Sequence, residues 1–419
     1  DTSYTLEQAN ALAIREYHLG NREAVETIYK LILAQFPSDV AAYNNLGMIL
    51  KELNRYEEAL ENFEKAVTHN PHFTLGHINA AILLQEMNRY NEALSSCDKA
   101  LASNPDNADI HNHRAILLHE LRRYDEALTS YDRAVLLAPH YADAFNNRGN
   151  CLDKMHQYAN ALDSYEKAIA LKPDYAEAYY NRAIVLQKMK CYEESLASFE
   201  KAYSLNPHIP YLPSFLFSNY MDLCKWDGLN HLRKKLIEGI EAGKPVSSPF
   251  EAAVIALSMT QQKQCAELYV RNNFPPQSAP LCNGECYLHD KIRLGYFSAD
   301  FHNHPTAYLM VELFEQHDRS KFEITGFSFG PPSNDAMRKR LEKTFDHFID
   351  VSTKSDREIA LLAKDMEIDI AIDLKGFTHN SRAGIFAWRP APVQVNYLGY
   401  PGTMGADYID YILADSVLI

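Results

Sequence analysis

The sequence contains no long apolar run, no excess of basic residues and no dense set of cysteines. No stretch approaches the roughly 18 to 20 uninterrupted apolar residues of a membrane span, so no membrane contact of that kind is expected. Asp plus Glu total 55 against 41 for Lys plus Arg, and this net charge of −14 argues against nucleic-acid binding and against docking on anionic lipid. Seven cysteines thinly spread over 419 residues predict reduced thiols in a cytoplasmic protein.

The sequence also lacks the common phosphate-binding motifs. It has neither G-x-G-x-x-G nor G-x4-G-K-[ST], so a standard dinucleotide site or P-loop is not indicated. One close pair of cysteines, Cys282 and Cys286, is a weak metal signal, and no metal is expected. The chain begins at Asp1 with no initiator Met and no signal region, which predicts a piece of a longer chain or a processed one.

Prolines recur every 34 residues through the first half of the chain. Between them small residues, tyrosines and alanines recur at fixed offsets, as at Gly47, Tyr56 and Ala59. This period and pattern are typical of tetratricopeptide repeats, so we expect about six repeats over 1–207, stacked as an α-solenoid. The Tyr is expected to fill the gap between the two helices of each repeat. The prolines are Pro37, Pro71, Pro105, Pro139, Pro173 and Pro207.

One position on the first helix of each repeat carries an asparagine in four of five repeats. At a spacing of 34 residues these side chains form a row along the concave wall of the solenoid. Amides can donate to and accept from an extended peptide backbone, which favours a peptide-binding groove. Asparagines here can equally cap or bridge neighbouring helices, and the sequence leaves both interpretations open. The row reads Asn45, Asn79, His113, Asn147 and Asn181.

The repeat period fails after Pro207, and the pattern later changes to short strands alternating with helices. Residues 208–290 are interpreted as a helical cap and connector, with helices over about 215–242 and 251–271. Alternating strands and helices over 291–419 predict a mostly parallel, Rossmann-like α/β lobe. The strands are predicted at 292–297, 322–327, 348–350, 369–373, 393–397 and 408–413.

Polar and glycine-rich segments follow three of these strands. Residues 300–306 follow the first strand, 373–378 the fourth and 398–405 the fifth. Because ligands gather at the carboxyl ends of parallel strands, we expect the three loops to converge on one cleft. Ordinary turn chemistry is the alternative explanation of their composition.

At these loops the sequence resembles the O-linked N-acetylglucosamine (O-GlcNAc) transferase family. The resemblance is carried by DFHNHPT at 300–306, by GFT at 376–378, and by RPAPVQ followed by LGYPGTMG within 389–405. Tetratricopeptide repeats ahead of such a block are the family's arrangement. The resemblance covers nearly the whole chain.

The resemblance implies the N-terminal catalytic lobe of a two-lobed, double-Rossmann (GT-B) glycosyltransferase. Such an enzyme moves N-acetylglucosamine from UDP-GlcNAc to Ser or Thr of proteins with inversion and without a metal, while the repeats bind the protein acceptor. By motif match, His304 is a catalytic base or an acceptor-positioning group, and Asp300 relays a proton through water. The substrate-binding residues implied are Asn303, Thr378, Arg382, Leu398, Gly399 and Pro401.

Two departures from the family pattern keep alternatives open. Asp373 and Lys375 stand where the better-known animal enzymes carry Asn, so the polarity near the acceptor differs. The family continues beyond the position of Ile419 into a donor-binding lobe, so this chain alone is expected to be inactive. The alternatives are a peptide-binding scaffold with a vestigial transferase half, and a transferase that uses another hexose donor or an Asn acceptor.

Overall fold

The computed structural model describes residues 5–400 and 402–414. The chain divides into two compact units, Asp1–Pro173 and Asp174–Ile419. The described part of the first unit is helical, and the second combines helices with one six-stranded sheet. Within the described ranges no helix is both long enough and apolar enough to cross a bilayer. The domain limits predicted at 207 and 290 stay predictions.

Helix pairs with a constant spacing build the first unit. Each pair has a first helix of 13 residues and a second of 14, and successive pairs start 34 residues apart, which confirms the predicted repeats. The helices are α1 (Leu6–His18), α2 (Arg22–Gln35), α3 (Val40–Glu52), α4 (Tyr56–His69), α5 (Thr74–Glu86), α6 (Tyr90–Ser103), α7 (Ala108–Glu120), α8 (Tyr124–Leu137), α9 (Ala142–Lys154) and α10 (Tyr158–Leu171).

The turn inside each later pair depends on one residue with left-handed backbone. This residue is Asn54, Asn88, Arg122 or His156, with φ between 58° and 60°. Asparagine and histidine adopt this conformation more often than other non-glycine residues, but arginine has no such preference. The stacking of the helices therefore imposes the turn at Arg122 against local propensity.

A small residue on the first helix of a pair lies against an aromatic ring of the second. A Cβ added at Gly47 would lie 2.6 Å from the Phe63 ring, and one at Gly149 would lie 2.5 Å from the Tyr165 ring. The prediction that the Tyr opening the second helix fills this gap is wrong, because Tyr56 is only half-buried and the ring of Phe63 occupies the space. The recurring alanines are fully buried, as expected: Ala59, Ala93, Ala127, Ala161, Ala66, Ala100, Ala134 and Ala168.

The second unit opens with another repeat pair and then departs from the pattern. The helix predicted over 215–242 is two helices, because Cys224 and Gly228 take left-handed backbone with φ of 53° and 79°. The helix predicted over 251–271 is also two, since the Ser258 side chain caps a new start. The helices are α11 (Ala176–Lys188), α12 (Tyr192–Leu205), α13 (Leu212–Asp222), α14 (Leu229–Glu241), α15 (Pro249–Ala252) and α16 (Met259–Asn273).

The sheet confirms the predicted Rossmann-like lobe. Its strands are β1 (Ile292–Ser298), β2 (Phe322–Ser328), β3 (His347–Asp350), β4 (Ile370–Asp373), β5 (Val393–Tyr397) and β6 (Tyr411–Leu413). All pairings are parallel, in the order β3-β2-β1-β4-β5-β6. Between the strands lie α17 (Pro305–Gln316), α18 (Ala336–Thr344), α19 (Asp356–Asp365) and α20 (Gly384–Ala387).

Both faces of the sheet are covered by apolar side chains. Leu294 and Tyr296 of β1 belong to the core on one face, and Phe297 belongs to the core on the other. Ala371 and Ile372 of β4 divide between the two cores in the same way. Polar groups are therefore concentrated where the strands end, and parallel strands place those carboxyl ends at one edge.

Candidate active site

The loops after β4 and β5 pack backbone to backbone at the carboxyl edge of the sheet. A Cβ added at Gly399 would lie 2.0 Å from the carbonyl oxygen of Leu374. A Cβ added at Gly376, whose φ is 53°, would lie 2.4 Å from the Cβ of Tyr400. Only glycine permits either approach, so these two residues bring the loops together.

An ion pair ties the loop after β1 to the loop after β4. The Nζ of Lys375 lies 2.7 Å from Oδ2 of Asp300. The two residues are 4% and 6% exposed, so each buried charge depends on the other for compensation. The three polar loops therefore lie together at one edge of the sheet, as expected.

Asp300 presents one oxygen to three groups. Besides the Lys375 ammonium, Oδ2 lies 3.5 Å from the hydroxyl oxygen of Thr306 and 3.6 Å from Nδ1 of His304. The backbone N–H of Asp300 donates to the Ser298 hydroxyl at 2.9 Å. These contacts hold the carboxylate beside the imidazole, and the proton relay implied for Asp300 stays a prediction.

His304 caps the N-terminus of α17. Its Nδ1 accepts a hydrogen bond from the backbone N–H of Thr306 at 3.2 Å, so the neutral imidazole carries its proton on Nε2. Burial lowers the pKa of His304 below the ordinary 6.5, with Lys375 and His302 adding to the decrease and Asp300 opposing it. His304 is therefore neutral near pH 7, with an N–H donor at Nε2.

Asn303 lies exposed on a tethered loop. Its backbone N–H donates to Oδ2 of Asp335 at 2.8 Å. Asp335 also caps α18, accepting from the backbone N–H of Arg338 at 2.8 Å. The hydrogen bond from the Ser333 hydroxyl has the largest effect and those from the two backbone N–H groups come next; together they lower the pKa of Asp335 to about 2. The tether leaves the Asn303 side chain at the surface of the candidate site.

Thr378 and Arg382, both implied to contact the acceptor, lie in different environments. Thr378 is half-buried, and its hydroxyl donates to the carbonyl oxygen of Lys375 at 2.9 Å. Arg382 is 4% exposed; its Nε donates to Asp356 at 2.7 Å and a terminal nitrogen donates to the Lys354 carbonyl at 2.7 Å. The implied acceptor contact of Arg382 does not fit this burial, and we assign the guanidinium to holding the 354–356 segment.

The residues implied for the wall of the sugar pocket begin the loop after β5. Leu398 is half-exposed with a φ of 67°, a left-handed conformation that is costly for a non-glycine residue. Gly399 follows, packed on Leu374. The Tyr400 hydroxyl donates to the carbonyl oxygen of Pro249 at 3.2 Å, and this hydrogen bond anchors the loop to α15. Pro401 lies outside the described residues.

Asp373, which the sequence placed near the acceptor, forms a buried polar pair with Asn396, which sequence reasoning did not place in the site. Oδ1 of Asp373 accepts from the Lys375 N–H at 2.9 Å and Oδ2 from the Gly376 N–H at 3.1 Å, so Asp373 shapes the loop. Burial raises the pKa of Asp373 to about 6. Asn396 lies opposite in the β4–β5 register, and neither of its amide atoms makes a full hydrogen bond within the described residues. Charged residues directly after an apolar strand were the available signal.

The central asparagines of the row in the first unit bridge neighbouring repeats. The amide nitrogen of Asn79 donates to Oδ1 of Asn44 at 2.8 Å. The amide nitrogen of Asn147 donates to Oδ1 of Asn112 at 3.3 Å. The bridging interpretation is therefore observed. Peptide binding by the remaining amide oxygens stays a prediction.

The other members of the row are half-buried. Asn45 donates to the hydroxyl of Tyr29 at 3.2 Å, again within the repeats. His113 interrupts the row as expected; burial lowers its pKa, and its Nε2 has no hydrogen-bond partner among the described residues. Asn181 lies on α11 in the second unit.

Family models match both parts of the chain. Residues 278–419 match glycosyl transferase family 41, a range that contains all three loops. Tetratricopeptide repeat models match residues 40–73, 78–147, 142–175 and 176–209. These matches support an O-GlcNAc transferase family protein with tetratricopeptide repeats. The resemblance read from the loop motifs is thereby confirmed.

Individual relatives cover parts of the chain. A probable UDP-N-acetylglucosamine–peptide N-acetylglucosaminyltransferase, SEC, of Arabidopsis thaliana is 42% identical over 125 residues, which are 30% of this chain and 13% of the relative. A UDP-N-acetylglucosamine–peptide N-acetylglucosaminyltransferase of Caenorhabditis elegans is 30% identical over 211 residues, 46% of this chain and 18% of the relative. The matches thus span less than a fifth of the length of these curated relatives.

Among solved structures, an O-GlcNAc transferase mutant of Thermobaculum terrenum is similar to this chain. The identity is 24% and the TM-score 0.46, and the alignment covers 74% of this chain and 54% of the other.

Proposed function

We propose that the chain forms the acceptor-side part of a protein O-N-acetylglucosaminyltransferase. The reaction is inverting transfer of N-acetylglucosamine from UDP-GlcNAc to Ser or Thr hydroxyls of proteins, without a metal. The observation that carries the proposal is the meeting of three polar loops at one sheet edge, all within the range that matches glycosyl transferase family 41.

The proposed chemistry needs a hydroxyl oriented toward the anomeric carbon and a route for its proton. His304 presents an N–H at Nε2, which suits a hydrogen bond to an acceptor group better than proton abstraction in this tautomer. Asp300, buried with Oδ2 3.6 Å from Nδ1 of His304, keeps the relay role that the resemblance implies. Thr378, Asn303, Leu398 and Gly399 are proposed to line the acceptor and sugar side of the cleft.

The repeats are proposed to bind the polypeptide acceptor. Asn79 and Asn147 hold neighbouring repeats together through their amide nitrogens, which leaves each Oδ1 to accept from a peptide N–H. Acceptor proteins as partners and a cytoplasmic location belong to the same proposal.

A transfer assay tests the proposal. The native polypeptide that carries this chain is incubated with Ser/Thr peptides and UDP-GlcNAc, and the mass gain of one N-acetylhexosamine is located by fragmentation. Parallel arms offer other nucleotide hexoses and an Asn peptide. Transfer to Ser or Thr from UDP-GlcNAc supports the proposal, and transfer only in the other arms overturns its donor or acceptor. Peptide binding without any transfer would instead favour the scaffold.

A further inference from the structure

The buried Lys375 has no role in the chemistry described so far. We propose that Lys375 is a positioning residue, which pairs with Asp300 and thereby keeps His304 neutral with its proton on Nε2. The inference deepens the proposed function and rests on it for the catalytic meaning of His304. The contacts of Lys375, Asp300 and His304 on which it is argued are observed in the structure and do not depend on that function.

The first step concerns the lone pair on Nδ1 of His304. That lone pair accepts the backbone N–H of Thr306 at 3.2 Å, which caps α17. Oδ2 of Asp300 lies 3.6 Å from the same nitrogen. An unshielded carboxylate at this distance favours an imidazolium with a proton on Nδ1, and such a proton would break the cap.

The second step concerns the charge on Asp300. The Lys375 ammonium lies 2.7 Å from the same oxygen, Oδ2, that faces His304. Both partners are almost fully buried, so water screens their interaction weakly. At the ring, the positive potential of the ammonium offsets the negative potential of the carboxylate, so the imidazole stays neutral beside the Asp300 oxygen.

The remaining groups around His304 do not favour a proton. His302, whose ring centroid is 5.7 Å away, and the N-terminal end of α17 both disfavour an added positive charge. Asp335 of the neighbouring α18 is engaged with the backbone N–H of Asn303 and caps its own helix. Asp300 is thus the group that opposes the lowered pKa of His304, and Lys375 controls it.

Nitrogen-15 NMR of histidine-labelled chain reads the tautomer and the titration of His304 without any sugar transfer. In the wild type we expect a neutral ring protonated at Nε2 at pH 8, with a pKa below 6.5. A ring protonated at Nδ1 would overturn the proposal.

Lys375→Met is the main variant. Removing the cation leaves Asp300 facing His304 alone, so the pKa of His304 should rise by about 1 to 3 pH units, the range for an opposite charge in contact. Lys375→Gln, which keeps a donor for Asp300 without the charge, is the second variant should the first not fold. Lys343→Met on the exposed end of α18 is the matched control and should leave the titration unchanged.

The Asp300→Asn background tests whether Lys375 acts through Asp300. When Lys375→Met is added there, both charges are gone, so the pKa of His304 should lie close to the wild-type value and well below that of Lys375→Met alone. A double variant whose pKa is as high as that of Lys375→Met, or no change in Lys375→Met itself, would overturn the proposal. Failure of sugar transfer would leave all of these readouts intact, so the two proposals fail separately.

Discussion

Nζ of Lys375 lies 2.7 Å from Oδ2 of Asp300, although the two residues are 75 positions apart in sequence. The bond joins the loop after β1 to the loop after β4, and Gly399 joins the loop after β5 to the same cluster. The site is therefore a set of loops held by one buried charge pair and by glycine contacts. Each of these contacts can be removed separately.

Asp373 should make the stability of the second unit depend on pH. Its pKa is raised from 3.8 to about 6, so between about pH 4 and pH 6 the folded chain holds a proton that the unfolded chain has released. The contribution of Asp373 to stability is therefore greatest at the acid end and falls as pH rises. In Asp373→Asn this fall is absent.

Urea unfolding at several pH values checks this. The free energy of unfolding of Asp373→Asn minus that of the wild type should increase from pH 4 to pH 7, by up to about 3 kcal/mol. A lost hydrogen bond adds an offset that does not depend on pH. Asp365→Asn, at an exposed site, is the control, and equal slopes for both variants would refute the prediction.

Gly399→Ala should separate the loops after β4 and β5. An added Cβ would lie 2.0 Å from the backbone oxygen of Leu374, and backbone cannot move aside as a side chain can. We expect a lower melting temperature and a loss of transfer of at least about tenfold. Thr403→Ala in the same segment removes a hydroxyl that accepts from the Gly405 N–H at 3.3 Å, and this variant should remain close to wild type. Equal behaviour of the two variants would argue against the packed-loop site.

Arg382→Ala should reduce stability rather than acceptor affinity. It removes the buried partner of Asp356, at a cost of up to about 3 kcal/mol, the lower end for buried pairs because Asp356 is partly exposed. Arg340→Ala breaks a surface pair with Glu315 and should cost below about 1 kcal/mol. Chemical denaturation measures both. A stable Arg382→Ala variant with a raised KM for peptide would restore the implied acceptor contact.

Asn147→Ala and Asn181→Ala, made separately, should weaken transfer to long protein acceptors more than transfer to a short peptide. Asn147→Ala also removes the bond to Asn112, worth about 0.5 to 1.5 kcal/mol. Comparing kcat/KM for the two acceptor lengths isolates the groove effect from this structural loss. Asn160→Ala, exposed on a second helix, is the control. Equal losses for long and short acceptors would mean that the row only bridges repeats.

The sequence predicts the elements of this fold well because their signals are local. The 34-residue period identifies the repeat helices, and the alternating apolar and polar segment Val393–Tyr397 is found as β5 with the predicted bounds. The interruptions at Cys224 and Ser258 were missed because a cap or a left-handed residue breaks a helix without breaking its apolar period.

The side-chain partners in the site were less predictable. Lys375 contacts Asp300 because β4 lies directly beside β1 in the sheet. The order of strands in a sheet cannot be predicted from a local sequence pattern. For the same reason, the burial of Arg382 against Asp356 depends on where α19 packs. The motif match located the loops, but it did not indicate which of their charged residues face the cleft.

His304→Ala tests the central claim, that the loop cluster is the acceptor side of a transferase, most directly. Its rate of N-acetylglucosamine transfer to a Ser/Thr peptide, measured in the native polypeptide that carries this chain, should fall by about 10²-fold, because the acceptor loses the Nε2–H group that orients it. His302→Ala, whose ring neighbours His304 at 5.7 Å, should keep a rate within a few-fold of wild type. A near-normal rate for His304→Ala would contradict the account.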